Sequence, residues 1–206
     1  MGRVSDAKVK LMDAVTELIW TGSYGSTTID QICEKAGVKK GSFYYFFESK
    51  AELAETAIDV EWAKRRPELD AVFSATIPPL ERLRKYCGLM HRFQSEIKAK
   101  CGCVLGCPLF SLGAEVSTQE NRLQKKIEAV LDQKCKYLES AIRDAHAAKL
   151  VHAPDPSIKA RCLFAYYQGL LTEARIRNNL DILLEAPEGT FELLGVHKQE
   201  KEAVPA

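Results

Sequence analysis

The sequence predicts an all-α fold. Apolar residues recur at three- and four-residue spacing along most of the chain, helix-capping sequences open several of those stretches, and no stretch alternates with period two over strand length. The pattern divides into a short N-terminal part, residues 1–50, with three helices that include a helix-turn-helix, and a longer helical part, residues 51–206.

The first helix is expected over Ser5–Trp20, with Leu11, Val15, Leu18 and Ile19 on one face and Asp13 and Glu17 on the other. Gly22 and Gly25 bracket the following turn. Ile29, Ile32, Cys33 and Ala36 then mark a second helix, opened by a capping box of Thr28 with Gln31 and ended at Gly37, which takes a left-handed conformation without steric cost. A third helix is predicted from about Lys39 to Phe47. Leu18, Ile32, Cys33, Val38 and Phe47 are the expected shared core. Ser49–Glu52 reads as another capping box, opening a long helix to about Ala75 interrupted only by Pro67.

Downstream, Leu83, Tyr86, Cys87, Met90, Phe93 and Ile97 give a helix over Pro79 to about Lys98. Cys101–Ser117 is short, apolar and rich in Gly and Cys. Ser117–Glu120 is expected to start a helix that reaches about Lys149, with Leu123, Ile127, Val130, Leu131, Leu138 and Ile142 as its buried stripe. Asp155 caps the next helix with Pro156 in its first position, and that helix runs to about Arg177. A last short helix falls around Glu188–Leu194, and the polar tail after His197 is expected to be disordered.

With 206 residues, 46% of them hydrophobic and 28% charged, the chain can bury a proper core and does not resemble a disordered one. No apolar run approaches the roughly 20 residues of a membrane span, and MGRVSDAKVK lacks the apolar centre of a signal peptide, so no membrane is expected as a partner. The expected location is the cytoplasm, with the seven cysteines reduced; an odd count also forbids complete internal pairing. The net charge of +1 does not point to nucleic acid. Residues 1–50 carry seven Lys/Arg against six Asp/Glu, so any DNA signal is local: Lys39, Lys40 and Lys50 lie in a stretch whose single acid is Glu48.

The stretch Thr27–Leu53 resembles the DNA-binding domain of the TetR family of bacterial regulators. The matching pieces are TTI--I over Thr27–Ile32, AGV-KGS over Ala36–Ser42, YY-F over Tyr44–Phe47 and SK-EL over Ser49–Leu53. The resemblance implies a homodimeric repressor without catalysis or cofactor that grips a palindromic operator in double-stranded DNA and is released by a small effector, residues 51–206 binding the effector and forming the dimer. It places Thr28 at a helix N-terminus against a phosphate, Lys39 and Lys40 at the start of the recognition helix, and Gly41 where DNA comes close. It also makes Ser42, Tyr44 and Tyr45 expected DNA contacts, and Lys50 matches the family's phosphate-clamping lysine. Phe46 replaces a commonly polar phosphate contact, so apolar packing is an alternative there.

Cys101, Cys103 and Cys107 form the most unusual local composition. Their C-x-C and C-x3-C spacings fit no common zinc pattern, and no metal site is expected. Gly106–Ser117 resembles the corresponding run of the NemR-like subgroup of the same family, which responds to electrophiles and oxidants. That resemblance makes Cys107 a candidate thiol sensor, with Cys101 or Cys103 as resolving partner; the alternative is that these cysteines only pack. Cys33, Cys87, Cys135 and Cys162 read as structural. Trp62, Tyr86, Phe93, Phe110, Tyr166 and Tyr167 either line an effector cavity or are plain core. Arg175 either holds an anionic ligand or makes a salt bridge at the dimer surface. The resemblance implies that the last two helices, about Asp155–Arg177 and Glu188–Leu194, form most of the dimer interface. A cysteine enzyme with Cys107 as nucleophile and His91 or His146 as base lacks any orienting third group. A protein-binding helical adaptor is the other alternative.

Overall fold

The computed structural model describes residues 6–196, and among these every regular element is a helix. α1 spans Asp6–Thr21, α2 Ile29–Ala36, α3 Lys40–Phe46 and α4 Lys50–Val72. α5 follows at Pro79–Cys101, α6 at Pro108–Val116, α7 at Asn121–Ala147 and α8 at Pro156–Arg177. A short 3-10 helix, Asp181–Glu185, leads into α9, Ala186–Leu194. The expected start at Ser5 and the tail after His197 lie outside the described residues.

Capping explains most of the boundaries. Gln31 N–H donates to Thr28 Oγ1 at 3.2 Å while Thr28 N–H donates to Gln31 Oε1 at 2.8 Å, the reciprocal box expected at the start of α2. Gly37 ends α2 with φ +64°. At the start of α4 half of the expected box forms: Glu52 N–H donates to Ser49 Oγ at 3.1 Å, but the Glu52 carboxylate reaches past Ser49 to the Glu48 N–H at 2.7 Å. Ser117–Glu120 does not open α7. The N–H groups of Gln119 and Glu120 donate back to the Val116 carbonyl at 3.0 and 2.9 Å, so this segment closes α6, and α7 starts at Asn121. The Gly- and Cys-rich stretch itself contains α6, a helix too short for its periodicity to stand out. Asp155 Oδ1 accepts from Ile158 N–H at 3.1 Å and caps α8 as expected.

The chain groups into two compact units: Met1–Arg65 with Pro108–Leu131, and Arg66–Cys107 with Asp132–Ala206. α4 and α7 each give residues to both, so these units follow a different line from the division after residue 50.

The first unit has two apolar clusters. In one, Leu11, Val15, Ile32, Cys33, Phe43, Phe47 and Leu53 are buried, with Leu18, Val38 and Phe46 packed against them half-buried. Full burial of such a side chain stabilises by roughly 1.5–3 kcal/mol, so the short α2 and α3 depend on this cluster rather than on helix propensity. The other cluster joins Ala54 and Ile58 of α4 to Leu112 and Val116 of α6 and to Leu123, Ile127 and Val130 of α7. Ion pairs between α7 and α4, Arg122 to Glu55 at 2.9 Å and Lys126 to Asp59 at 2.8 Å, border it.

In the second unit Leu83, Leu138, Ile142, Leu163, Tyr167 and Phe191 are fully buried. Arg82, also buried, pairs with Asp144 and donates to the Ile77 carbonyl at 2.7 Å. That satisfies a charge which would otherwise be costly inside the fold.

Candidate DNA interface and the cysteine loop

α3 is anchored on its inner side and free on its outer side. Phe43 and Phe47 are buried, which turns Tyr44 and Tyr45 outward to 55% and 81% exposure. Each tyrosine rests edge-on against a phenylalanine, Tyr44 on Phe43 at 5.2 Å and Tyr45 on Phe46 at 4.8 Å between ring centroids. Phe46 therefore packs, which is the apolar alternative weighed for that position. Lys39, Lys40 and Gly41 are exposed at the start of the helix and Ser42 is half-buried. A Cβ on Gly41 would meet nothing within 4 Å, so internal packing does not demand glycine there.

The cations are not equally available. The Lys40 ammonium pairs with Asp30 at 2.8 Å, and this hydrogen bond and charge push its pKa up. A phosphate reaching Lys40 competes with Asp30. Lys50 is half-buried: its Nζ donates to the carbonyls of Tyr24 and Thr27, each at 2.7 Å, and lies 4.1 Å from the Tyr24 ring centroid. Desolvation lowers its pKa, while Glu115 and Glu120 pull the other way. Thr28, exposed at the N-terminus of α2, shares its hydroxyl with Gln31.

The cysteine loop is held from two helices. Gln94 of α5, 1% exposed, donates from Nε2 to the Gly106 carbonyl at 2.9 Å, and its Oε1 accepts from the N–H groups of Leu105 and Gly106 at 3.1 and 2.9 Å. Asn178, the left-handed cap of α8, accepts from Val104 N–H at 2.9 Å and donates to the Gly102 carbonyl at 3.2 Å. Arg175 donates to the Leu105 carbonyl at 3.2 Å. A Cβ on Gly106 (φ +66°) would stand 3.0 Å from the Leu171 carbonyl oxygen, so glycine is required there for both conformation and space.

Cys107 follows Gly106 directly and immediately precedes Pro108, the first residue of α6; it is half-buried and not in a disulfide. Cys101 and Cys103 are exposed, with Cys101 Sγ 3.4 Å from the Cys103 carbonyl oxygen. Among the described residues no group of three or more His, Cys, Asp or Glu is arranged to hold a metal ion.

The candidate effector residues fall into several settings. Tyr167 is fully buried and shares a hydrogen bond with Thr190 at 2.8 Å, with Cys87 Sγ 3.6 Å away, so it serves the core. Tyr86 is half-buried, its ring 5.4 Å from Tyr167 and 5.5 Å from Phe73. Burial first, then the Cys107, Cys87 and Cys135 sulfurs, push its phenol well above the usual range. Tyr166 donates to the Glu185 carbonyl and packs so close to Gly189 that a Cβ there would lie 2.0 Å from its oxygen. Phe93 is half-buried on α5 and Phe110 is exposed on α6, while Trp62 packs on the second cluster of the first unit.

Sequence reasoning passed over Gln94, Asn178 and Glu115. Asparagine just after a helix is a C-cap signal in its own right. Glu115 and Gln94 carry no such local mark, because what they hold is 90–91 and 11–12 residues away, respectively.

Comparison with known proteins agrees with this geometry. Residues 11–57 match the family model "Bacterial regulatory proteins, tetR family", and residues 79–186 match "Tetracyclin repressor-like, C-terminal domain". An uncharacterised HTH-type transcriptional regulator of Lactococcus lactis is 27% identical over 92% of this chain and 91% of its own length. The transcriptional regulator AcuR of Cereibacter sphaeroides is 28% identical over 86% of this chain and 80% of its own. Among solved structures, a regulatory protein TetR from Rhodobacter sphaeroides superposes with a TM-score of 0.79 at 27% identity, covering 92% of this chain and 99% of that one. Reduced Escherichia coli NemR, at 18% identity, shares the fold with a TM-score of 0.76 over 92% of this chain and 98% of its own. Its likeness extends to the fold alone.

A helix-turn-helix with an outward-facing third helix, followed by a helical domain matched over 79–186, is therefore a DNA-binding regulator and not an enzyme, and the chain belongs to the TetR family of transcriptional regulators.

Proposed function

We propose that this chain is a repressor that binds a palindromic operator as a homodimer, residues 1–50 reading DNA and residues 51–206 forming the dimer and taking up the effector. The observation that carries the DNA reading is α3, which exposes Tyr44, Tyr45, Lys39 and Lys40 over buried Phe43 and Phe47. Tyr44, Tyr45, Gly41 and Ser42 face base edges and sugars; Lys39, Lys40, Lys50 and Thr28 are the candidate phosphate contacts. A repressor, DhaR of a Mycobacterium species, is among the relatives, 23% identical over 89% of this chain and 90% of its own length.

The dimer surface is assigned to α8 and α9. Ile158, Cys162, Ala165, Gly169, Thr172 and Ile176 succeed one another at three- and four-residue spacing, all exposed and none charged. Such a stripe on a soluble chain calls for a partner, and an isologous pairing covers it on both copies at once.

Release is assigned to a small effector or to thiol modification at Cys107, with Cys101 or Cys103 as resolving partner. Tyr86, Phe93, Phe110, Tyr167 and Arg175 are the candidate effector contacts. The hydrogen bonds from Gln94, Asn178 and Arg175 favour this reading, because they leave the segment before Cys107 little freedom to absorb a modification. A disturbance at Cys107 then passes directly into α6.

A gel shift on the DNA upstream of the chain's own gene, over a series of salt concentrations, tests the proposal. Binding that weakens steeply with salt is expected. Binding without a salt slope, or none at all, would defeat it. In the same assay a quinone should release wild type but not Cys107→Ser; equal release of both removes Cys107 from the mechanism.

A further inference from the structure

The turn between α1 and α2 is gripped by two opposite charges. On one side the Glu115 carboxylate of α6 accepts from two consecutive backbone donors, Tyr24 N–H at 2.9 Å and Gly25 N–H at 2.7 Å. On the other side the Lys50 ammonium donates to the carbonyls of Tyr24 and Thr27. Each bond involves a full charge and is accordingly stronger than a neutral one. The anion takes the N–H end of the turn and the cation takes its C=O end, so the two grips reinforce each other. Gly25 fits this clasp closely, since a Cβ there would stand 3.2 Å from Glu115 Oε1. The Tyr24 ring lies against Lys50, and its phenol is pushed up to about 12 by burial and then by Glu120.

From this we infer that Glu115 is a positioning residue for operator binding, with Lys50 as its counterpart. The inference rests on the DNA-binding reading of the preceding subsection. The turn leads straight into Thr28, the N-cap of α2, and α2 carries α3 through the Gly37 turn. A pose error at Tyr24–Gly25 therefore reaches every candidate DNA contact. The fold itself does not depend on the clasp: Leu11, Val15, Ile32, Phe43 and Phe47 hold the three short helices together by burial. Glu115 sets where the turn stands, and the apolar cluster sets whether the domain is folded. Of the candidate phosphate contacts Lys50 is thereby reassigned: two of its three protons go to backbone carbonyls, and its role is to place the turn rather than to hold phosphate.

The test uses the full-length chain in two arms. Amide exchange of the free protein should show Tyr24 and Gly25 protected in wild type and at least one of the two exposed in Glu115→Gln, whose amide keeps a single acceptor oxygen, with the melting temperature little changed. Operator binding, measured on an inverted repeat selected by the wild-type protein from randomised duplexes, should weaken about tenfold, the scale of one lost charge-assisted hydrogen bond. The sign is diagnostic, because removing an acidic group would by itself strengthen attraction to DNA. Gly25→Ala keeps the carboxylate and disturbs the clasp from the other side, and should weaken binding likewise. The dependence of log K on log[salt] should stay the same in Glu115→Gln and in Lys50→Met, but fall by about one in Lys39→Ala. Unchanged operator affinity in Glu115→Gln with accelerated exchange would overturn the positioning role. Unchanged exchange would remove the clasp, and a lower salt slope in Lys50→Met would make Lys50 a phosphate ligand. If wild type binds no DNA, the DNA reading itself fails while the exchange arm still reports on the clasp.

Discussion

At the scale of single residues, environment separates groups that look alike in the sequence. Seven cysteines form one class by composition, yet Cys33 and Cys87 are buried and Cys135 half-buried, and desolvation raises all three thiols. A raised thiol pKa means less thiolate at a given pH, so these three react slowly. Brief alkylation with iodoacetamide at pH 8, read by mass spectrometry, should label Cys101 and Cys103 first and Cys33 and Cys87 only after unfolding. Early labelling of Cys87 would contradict the packed Cys87–Tyr167–Thr190 cluster. The three N-terminal lysines separate in the same way. Lys39, Lys40 and Lys50 look equivalent in sequence, but Asp30 holds Lys40 and two backbone carbonyls hold Lys50. Such partners are set by folding and cannot be read from neighbours in the chain.

At the scale of elements, α3 illustrates a division of labour within seven residues. Alternate sides of one helix carry stability and recognition, so substitutions should split cleanly. Phe43→Ala, at a fully buried position, should cost about 3–5 kcal/mol in chemical denaturation. Tyr45→Ala, at 81% exposure, should leave stability within about 0.5 kcal/mol and weaken operator binding instead. A large stability loss in Tyr45→Ala would show that its edge contact with Phe46 serves the fold. The boundaries of this region were legible because capping is local: Thr28 with Gln31 and Gly37 are marked in the sequence and do what they announce. The same logic failed at Ser117–Glu120, where a capping pattern lies at the end of α6. Its N–H groups return to Val116, a choice made by the packing of α6 and α7.

At the scale of the whole molecule, the exposed stripe on α8 is the feature a single protomer leaves unexplained. Ile158 and Ile176 are 59% and 78% exposed at its two ends. Ile176→Glu should convert a dimer to a monomer by light scattering and lower operator affinity, since each half-site then binds alone. Cys162, exposed on the single chain, should label slowly with iodoacetamide in wild type and become fast in Ile176→Glu. A monomeric wild type, or equal labelling of both proteins, would place the dimer surface elsewhere.

The sequence by itself determined the all-α class and the helix-turn-helix with its caps, because each follows from side-chain spacing within a few residues. The family followed from the dense pattern over Thr27–Leu53. Only the tertiary structure decided that α6 belongs with the DNA-reading helices in one compact unit. It alone brought Glu115 to the Tyr24–Gly25 turn and Gln94 and Asn178 to the cysteine loop. These are pairings of a side chain with a distant backbone, and a backbone group has the same chemistry at nearly every position. Nothing in a residue's identity names which amide it will meet, so that choice belongs to the packed chain.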